Sequence, residues 1–296
     1  MDTARNISSR ATVPQWDTRI AMLLRPDGRL QLGWNPERAM TLTPPPGIDS
    51  RGLQSLLRSM DGRTTLPSLL WKAAQLGVAP ATMEALVDEL TRSGYLRHAD
   101  TATGPVRIHG RGPLSDAIAG ALRSGGVSAR RSHGYTNSDV VGEWNESLVV
   151  LTDDVVTDPR LVADLVRGGL PHLSVRLRDG TAVVGPLVLP GRSSCLRCAD
   201  IVRSAADPDW LHLSAQLLGS AGHAEASIVH AAVSFALSEI DAVLNPRTHA
   251  APSGLSATVE IELNPYRVTT RRWPRQSSCS CQYLAPDTGE ERVGQP

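Results

Sequence analysis

Aromatic residues are scarce. They make up 4% of the chain, with a single phenylalanine, so a stacking platform for single-stranded nucleic acid lacks its material. Lysine is scarcer still: of thirty basic residues, only Lys72 is not an arginine. An excess of one charge is missing too. Thirty basic residues face thirty acidic ones, which removes the electrostatic footprint of a nucleic-acid or membrane-surface protein. No apolar run approaches the length needed to span a bilayer. Residues Met1 to Trp16 lack the apolar core of a secretory signal. These absences predict a soluble, cytoplasmic chain with no membrane partner. At 296 residues, 41% of them apolar, the chain has material for one large domain or two ordinary ones.

Cysteine is limited to four residues, and they fall into two tight pairs. Cys195-Leu-Arg-Cys198 follows the stretch Gly185-Pro-Leu-Val-Leu-Pro-Gly; Cys279-Ser-Cys281 lies near the C-terminus. A tight turn points both sulfurs of such a pair the same way. Two pairs then complete a tetrahedral four-sulfur zinc site, which is closed and therefore structural. Disulfides and inert buried thiols are the alternatives, and a reducing compartment argues against disulfides.

Residues 1 to 15 are polar and read as a disordered tail. From residue 16 to 100 the pattern predicts a small winged-helix-like α+β domain. Arg19 to Arg25 and Arg29 to Trp34 are two strands joined at Pro26-Asp27-Gly28, a good turn signal. Arg38 to Thr43 is a third strand, stopped by three prolines. Helices are predicted over Ser50 to Ser59, Leu66 to Leu76 and Pro80 to Ser93. A winged helix suggests DNA, but the third helix carries Glu84, Asp88 and Glu89 against only Arg92. That argues against a phosphate-facing recognition helix. A packing or dimerisation module is the plainest reading. The sharper one is an exposed strand edge that accepts an extended peptide. Arg38, Met40 and Leu42 would receive it, with Met83, Val87 and Leu90 helping to form a groove. The polar segment Thr101 to Pro105 is the predicted linker.

A second domain is predicted over residues 106 to 284, with a disordered tail over 285 to 296. Its first stretch, Val106 to Val127, has the strand, glycine turn and helix order of a nucleotide-binding βα unit, with Gly110 and Gly112 in the turn. The usual third glycine is replaced by Asp116 or Ala117, and an acid near the helix start repels phosphate. Leu148 to Asp154 is a buried strand. Asp153 and Asp154 stand at its C-terminal edge, where open α/β sheets place ligands. The fold class is α/β, Rossmann-like. Histidines are scattered without His-Glu-x-x-His spacing, and Gly-x-Ser-x-Gly is absent. No residue is assigned a catalytic role.

The order of glycine turn, Thr152-Asp153-Asp154, the Gly185 to Gly191 stretch and the two cysteine pairs resembles the ThiF-like family of adenylating enzymes related to ubiquitin activation. Within it, the chain is most similar to cyclodehydratase-type proteins of thiazole/oxazole-modified peptide biosynthesis. The resemblance spans residues 19 to 284. It implies that all four cysteines bind zinc and that the chain forms a homodimer. It also implies an N-terminal RiPP recognition element, matched in element order over residues 19 to 96, that takes a leader peptide as an added strand. Active members use ATP, with arginine, lysine and aspartate before the Asp-bearing strand. Asp153 or Asp154 matches their magnesium-site aspartate. Here the interval Ser128 to Ser147 is short and holds Arg130 and Arg131 but no lysine, and arginine is no routine substitute for a phosphate-binding lysine. The expectation is a degenerate ATP/Mg site on a scaffold that binds a peptide and a partner enzyme, such as a YcaO-type protein. The alternatives are an active adenylyltransferase and a DNA-binding regulator.

Overall fold

Short alternating strands and capped helices follow one another along the chain as local turn chemistry dictates. The computed structural model describes residues 14–98, 104–137, 139–245 and 251–283. It divides into two units, Met1–Thr101 and Ala102–Pro296.

In the first unit, β1 (Pro14–Trp16) comes first. β2 (Met22–Leu24), β3 (Leu30–Leu32) and β4 (Met40–Leu42) form an antiparallel sheet in that order. Gly28 turns the first hairpin with φ of +82°, a backbone region that glycine enters without steric penalty. Helix α1 (Ser50–Arg58) is capped by Asp49, whose side chain accepts the Gly52 amide at 2.7 Å. Thr65 caps α2 (Leu66–Gln75) by accepting from Ser68 N. Helix α3 (Pro80–Arg92) leads into β5 (Leu96–His98), which pairs antiparallel with β1. The expected tail is therefore shorter than residues 1 to 15, because Pro14 and Gln15 belong to β1. The buried Trp16 explains this: it stacks on Tyr95 at 6.3 Å, and its amide donates to Met60 O. Residues 1–13, the linker residues 101–103 and the tail from 285 lie outside the described residues.

The core of this unit is made by Leu30, Leu32, Leu53, Leu57 and Leu69 with Met83, Val87 and Leu90. The last three are 0%, 6% and 0% exposed. They were expected to help line a peptide groove, and the structure corrects this. Their helical spacing turns all three inward against the sheet, leaving no surface for a peptide.

The second unit holds a seven-stranded mixed sheet flanked by helices. In chain order it runs β6 (Val106–His109), α4 (Pro113–Ser124), β7 (Ala129–Ser132), α5 (Asp139–Gly142), β8 (Leu148–Thr152), α6 (Pro159–Arg167), β9 (His172–Arg178) and β10 (Thr181–Val188). Then come α7 (Leu196–Ala206), α8 (Trp210–Ala215), α9 (Ala226–Leu244), β11 (Ala257–Leu263) and β12 (Tyr266–Arg272). Strand order is β12-β11-β10-β9-β8-β6-β7. The strands from β7 to β9 pair in parallel, and those from β9 to β12 pair antiparallel. After β6 the chain moves outward to β7, then returns across β6 to β8. That reversal makes a crevice at the C-terminal ends of β6 and β8.

Every residue of β8 is buried, as a parallel strand covered on both faces must be. Leu148 and Val150 join the cluster under α4 and α9, while Val149 and Leu151 pack with Leu161 and Leu165 of α6. Helix α9 is the longest helix among the described residues. Its 19 residues have a mean hydropathy of 1.5, long and apolar enough to cross a membrane by composition. Here it is a core helix, with Ile228, Ala232, Ala236 and Ile240 buried against α4 and the sheet.

Two histidines couple this fold to pH. His172 is fully buried, its Nδ1 2.9 Å from Leu170 O, and burial pushes its pKa down to about 4. His109 is pushed down to about 4 chiefly by burial, with Arg107 and His133 adding repulsion. Both are neutral when folded, and both protonate near the ordinary value of 6.5 when unfolded. Their contribution to stability is therefore full above that value. It is lost as pH falls from about 6.5 toward about 4, at about 1.4 kcal/mol per pKa unit. Thermal unfolding followed across that window should show a falling midpoint, with a shallower slope in His172→Leu. A midpoint flat with pH would contradict it.

Candidate functional site

The glycine turn after β6 is held by contacts that leave no room for side chains. Gly110 has φ of +151°, and a Cβ there would collide with the Thr152 carbonyl. At Gly112 a Cβ would lie 2.6 Å from Asp153 Oδ1. Helix α4 begins at once, so its first amides point into the crevice, a ready anion site. That site is taken by the protein itself. Asp153 is buried, with φ of +70° at the end of β8. Its Oδ1 accepts from Leu114 N at 2.9 Å, and its Oδ2 accepts from Ser115 N at 3.1 Å. The carboxylate thus satisfies two donors and offsets the positive end of the helix dipole, the role that a bound phosphate would have.

The two arginines of β7 are engaged as well. Arg131 Nη2 lies 2.6 Å from Asp116 Oδ1 and donates to Ser115 Oγ at 3.1 Å. Arg130 reaches Glu146 at 3.5 Å, a buried carboxylate that also takes Arg107 at 2.7 Å. A cavity of about 440 Å3 opens beside Gly110, Gly112, Arg131 and His133. Asp154 is half-buried, and burial first, then the Asp153 charge, raises its pKa. The segment around Ala221 crosses the end of β8: Val155 N donates to Ser220 O, and Gly222 N to Asp153 O. Gly110, Gly112, Asp153 and Asp154 are therefore brought together, with Asp153 turned inward and Asp154 outward. Ser115 and the crossing segment went unnoticed in the sequence, where a lone serine and a Leu-Leu-Gly-Ser run carry no signal.

The four cysteines, buried and free of disulfides, meet in one cluster. Cys195 caps α7 and Cys198 sits in its first turn, while Cys281 lies in the short 3-10 helix Ser280–Tyr283. Sulfur separations are 3.9 Å for Cys195–Cys198, 3.6 Å for Cys195–Cys279 and 3.5 Å for Cys198–Cys281. All four sulfurs lie within 4.8 Å of one another. A tetrahedral ion with sulfur ligands needs edges of about 3.8 Å, and a disulfide needs about 2 Å. The geometry fits the ion and not the bond. Electrostatics agrees. A hydrogen bond from Cys195 pulls Cys198 down to about 4. Cys195 is pushed up, mainly by that same hydrogen bond, and Cys281 is pushed up to about 12, mainly by burial. A divalent ion would stabilise all four sulfurs as thiolates.

In the first unit, Met40 and Leu42 are half-buried while Arg38 and Thr41 are exposed. Tyr95 Oη donates to Arg38 O at 2.9 Å. Strand β4 is one edge of its sheet. On the opposite edge, Met22 O accepts from the Gln54 side chain.

No family model matches the chain, and no curated protein does. Solved structures do. A heterocyclase in complex with substrate and cofactor is 17% identical over 91% of this chain and 39% of its own, with a TM-score of 0.64. The heterocyclase TruD is 15% identical over 91% and 42%, at 0.60. E. coli MccB with ATP is 10% identical over 90% and 99%, at 0.58. The chain thus spans about two fifths of the heterocyclase chains and nearly all of MccB. These likenesses establish the fold, which is the one expected from the sequence resemblance.

Protein purified without chelators should carry one divalent metal ion per chain by elemental analysis. Cys198→Ser should lose it and lower the thermal midpoint by about 10 °C, because a closed metal site contributes folding free energy directly. A metal-free wild type of equal stability would overturn this assignment.

Proposed function

We propose that this chain is a catalytically silent scaffold for ribosomal peptide modification. It captures a leader peptide and docks a modifying enzyme, such as a YcaO-type cyclodehydratase, as a homodimer in the cytoplasm. The observation that carries this reading is the Asp153 carboxylate on the first amides of α4. An anion site filled by the protein's own charge repels the phosphates of ATP–Mg. Arg130 and Arg131 are already paired with carboxylates, and the only lysine, Lys72, belongs to the first unit.

The first unit is read as a winged-helix-like module that takes a peptide along β4. Three facts support it. Strand β4 is a sheet edge, and among the described residues no other protein group hydrogen-bonds the backbone of Met40 to Leu42. Met40 and Leu42 face the core while Thr41 faces out, the alternation an added strand can extend. The likeness also includes MccB solved in complex with N-formylated MccA. The metal is read as zinc. Cys195, Cys198, Cys279 and Cys281 would hold it, and a four-sulfur shell leaves no open position, so it staples the chain's last described turn to α7 without taking part in chemistry.

The alternative is an active adenylating enzyme. It draws on the MccB structure with ATP and on the outward Asp154. Calorimetry separates the two. Titration with ATP–Mg should give no binding heat up to about millimolar concentration, and micromolar binding would favour the alternative. Asp153→Ala should lower stability by about 1–3 kcal/mol, since it leaves two buried amides unpaired. A neutral effect would show that the cap is not structural.

Peptide capture is checked by hydrogen exchange. The N-terminal segment of a precursor peptide encoded beside this gene should slow exchange at Met40 to Thr43, and Glu84→Ala on the outer face of α3 should leave that protection intact. Unchanged exchange along β4 would remove the peptide-binding role.

A further inference from the structure

A second cavity, of about 800 Å3, lies within the α/β unit among β9, α6, α7 and α8. Its wall is mostly apolar, with Val155, Val162, Val166, Leu196, Leu211 and Leu217. Its size and lining are those of a small-molecule site. Charged side chains line it as well, Arg178, Arg197, Asp200 and Arg203 among them, and one is set deep in the sheet. Arg176, in the middle of β9, is 9% exposed and lines the cavity. Its Nη1 donates to Ser174 Oγ at 2.8 Å. Among the described residues, no carboxylate lies within ion-pair distance of it.

The neighbouring acids are engaged elsewhere. Asp200 Oδ1 accepts from Arg203 at 2.9 Å and from Trp210 Nε1 at 3.2 Å. Glu260 takes Arg178 at 3.0 Å. Arg167 pairs with Asp164, and Asp179 is exposed in the turn after β9. Arg203 also stacks over Trp273 at 4.3 Å and over Trp210 at 5.1 Å, so its position is fixed. Burial, and after it the Arg203 and Arg178 charges, pushes Arg176 down to about 10, which leaves it cationic at neutral pH. The Asp200 and Glu260 charges offset part of this without reaching ion-pair distance, and a buried cation so incompletely compensated destabilises a fold unless a ligand supplies the missing charge.

We propose that this cavity binds a small acid, with one anionic head against the Arg176 guanidinium and an aliphatic or aryl body against the valine and leucine wall. The guanidinium presents a planar fork of donors that matches a carboxylate or a phosphate. This site is independent of the peptide role above, because none of its residues belongs to the first unit.

Calorimetry on the full chain tests it with three probes that share one body: decanoate, decyl phosphate and decanol. Decanoate should bind at least about tenfold tighter than decanol, the increment of a charge-assisted hydrogen bond. Decyl phosphate tighter than decanoate identifies a phosphate head, and the reverse order identifies a carboxylate; either supports the site. Arg176→Met should bring decanoate down to the affinity of decanol, leave decanol unchanged, and raise the ligand-free thermal midpoint. Should that variant fail to fold, Arg176→Lys decides, with decanoate weakened several-fold as the fork is lost. Equal affinity for decanoate and decanol, no binding of any probe at about millimolar concentration, or undiminished decanoate binding in either variant would overturn the proposal.

Discussion

A carboxylate seated on the open end of a helix governs how this molecule can be read. Asp153 gives both oxygens to the first amides of α4. The contact joins the end of β8 to the start of α4 across β6, so it ties the two halves of the crevice together. It also cancels the positive end of the helix dipole where a ligand anion would need it. The same sheet topology that makes a nucleotide site in other chains here makes a structural joint.

The other fixed point is the sulfur cluster. The chain leaves the sheet after β12, the last strand among the described residues. Cys279 and Cys281 bring it back to Cys195 and Cys198 at the start of α7. Four thiols packed this closely are a poor core in themselves, because each thiolate raises the cost of the next. A divalent ion turns that repulsion into the strongest local attraction. Trp273, 2% exposed and stacked under Arg203 and Arg271, closes the layer beside it. Cys195, Cys279, Cys281 and Arg203 all line the large cavity, so sulfur cluster and cavity share a wall.

Much of the fold was legible because period and punctuation agreed. The Asp27-Gly28 turn and the continuous apolar run of β8 each named their element before any packing was considered. The cysteine spacing named its cluster for the same reason: two short turns leave little freedom in where the sulfurs point. Met83, Val87 and Leu90 left two readings open, core or groove. An apolar stripe at helical spacing looks the same in either place, and only the elements packed against it decide for the core. The long apolar helix expected near His223 to Leu244 is α9, but its burial by α4 and the strands is not written in its own residues.

The sequence by itself determined the elements, the sulfur cluster and the shortage of lysine, because these depend on neighbours a few positions away or on composition. Tertiary structure alone decided what Asp153 and Arg176 do. Each is an ordinary charged residue in the chain, and each acquires its meaning from groups brought beside it by strand order. Asp153 was given two helix amides, which hold both of its oxygens. Arg176 was given a largely apolar wall and no acid within ion-pair distance, and that imbalance of charge is a property of the folded molecule that no local pattern encodes.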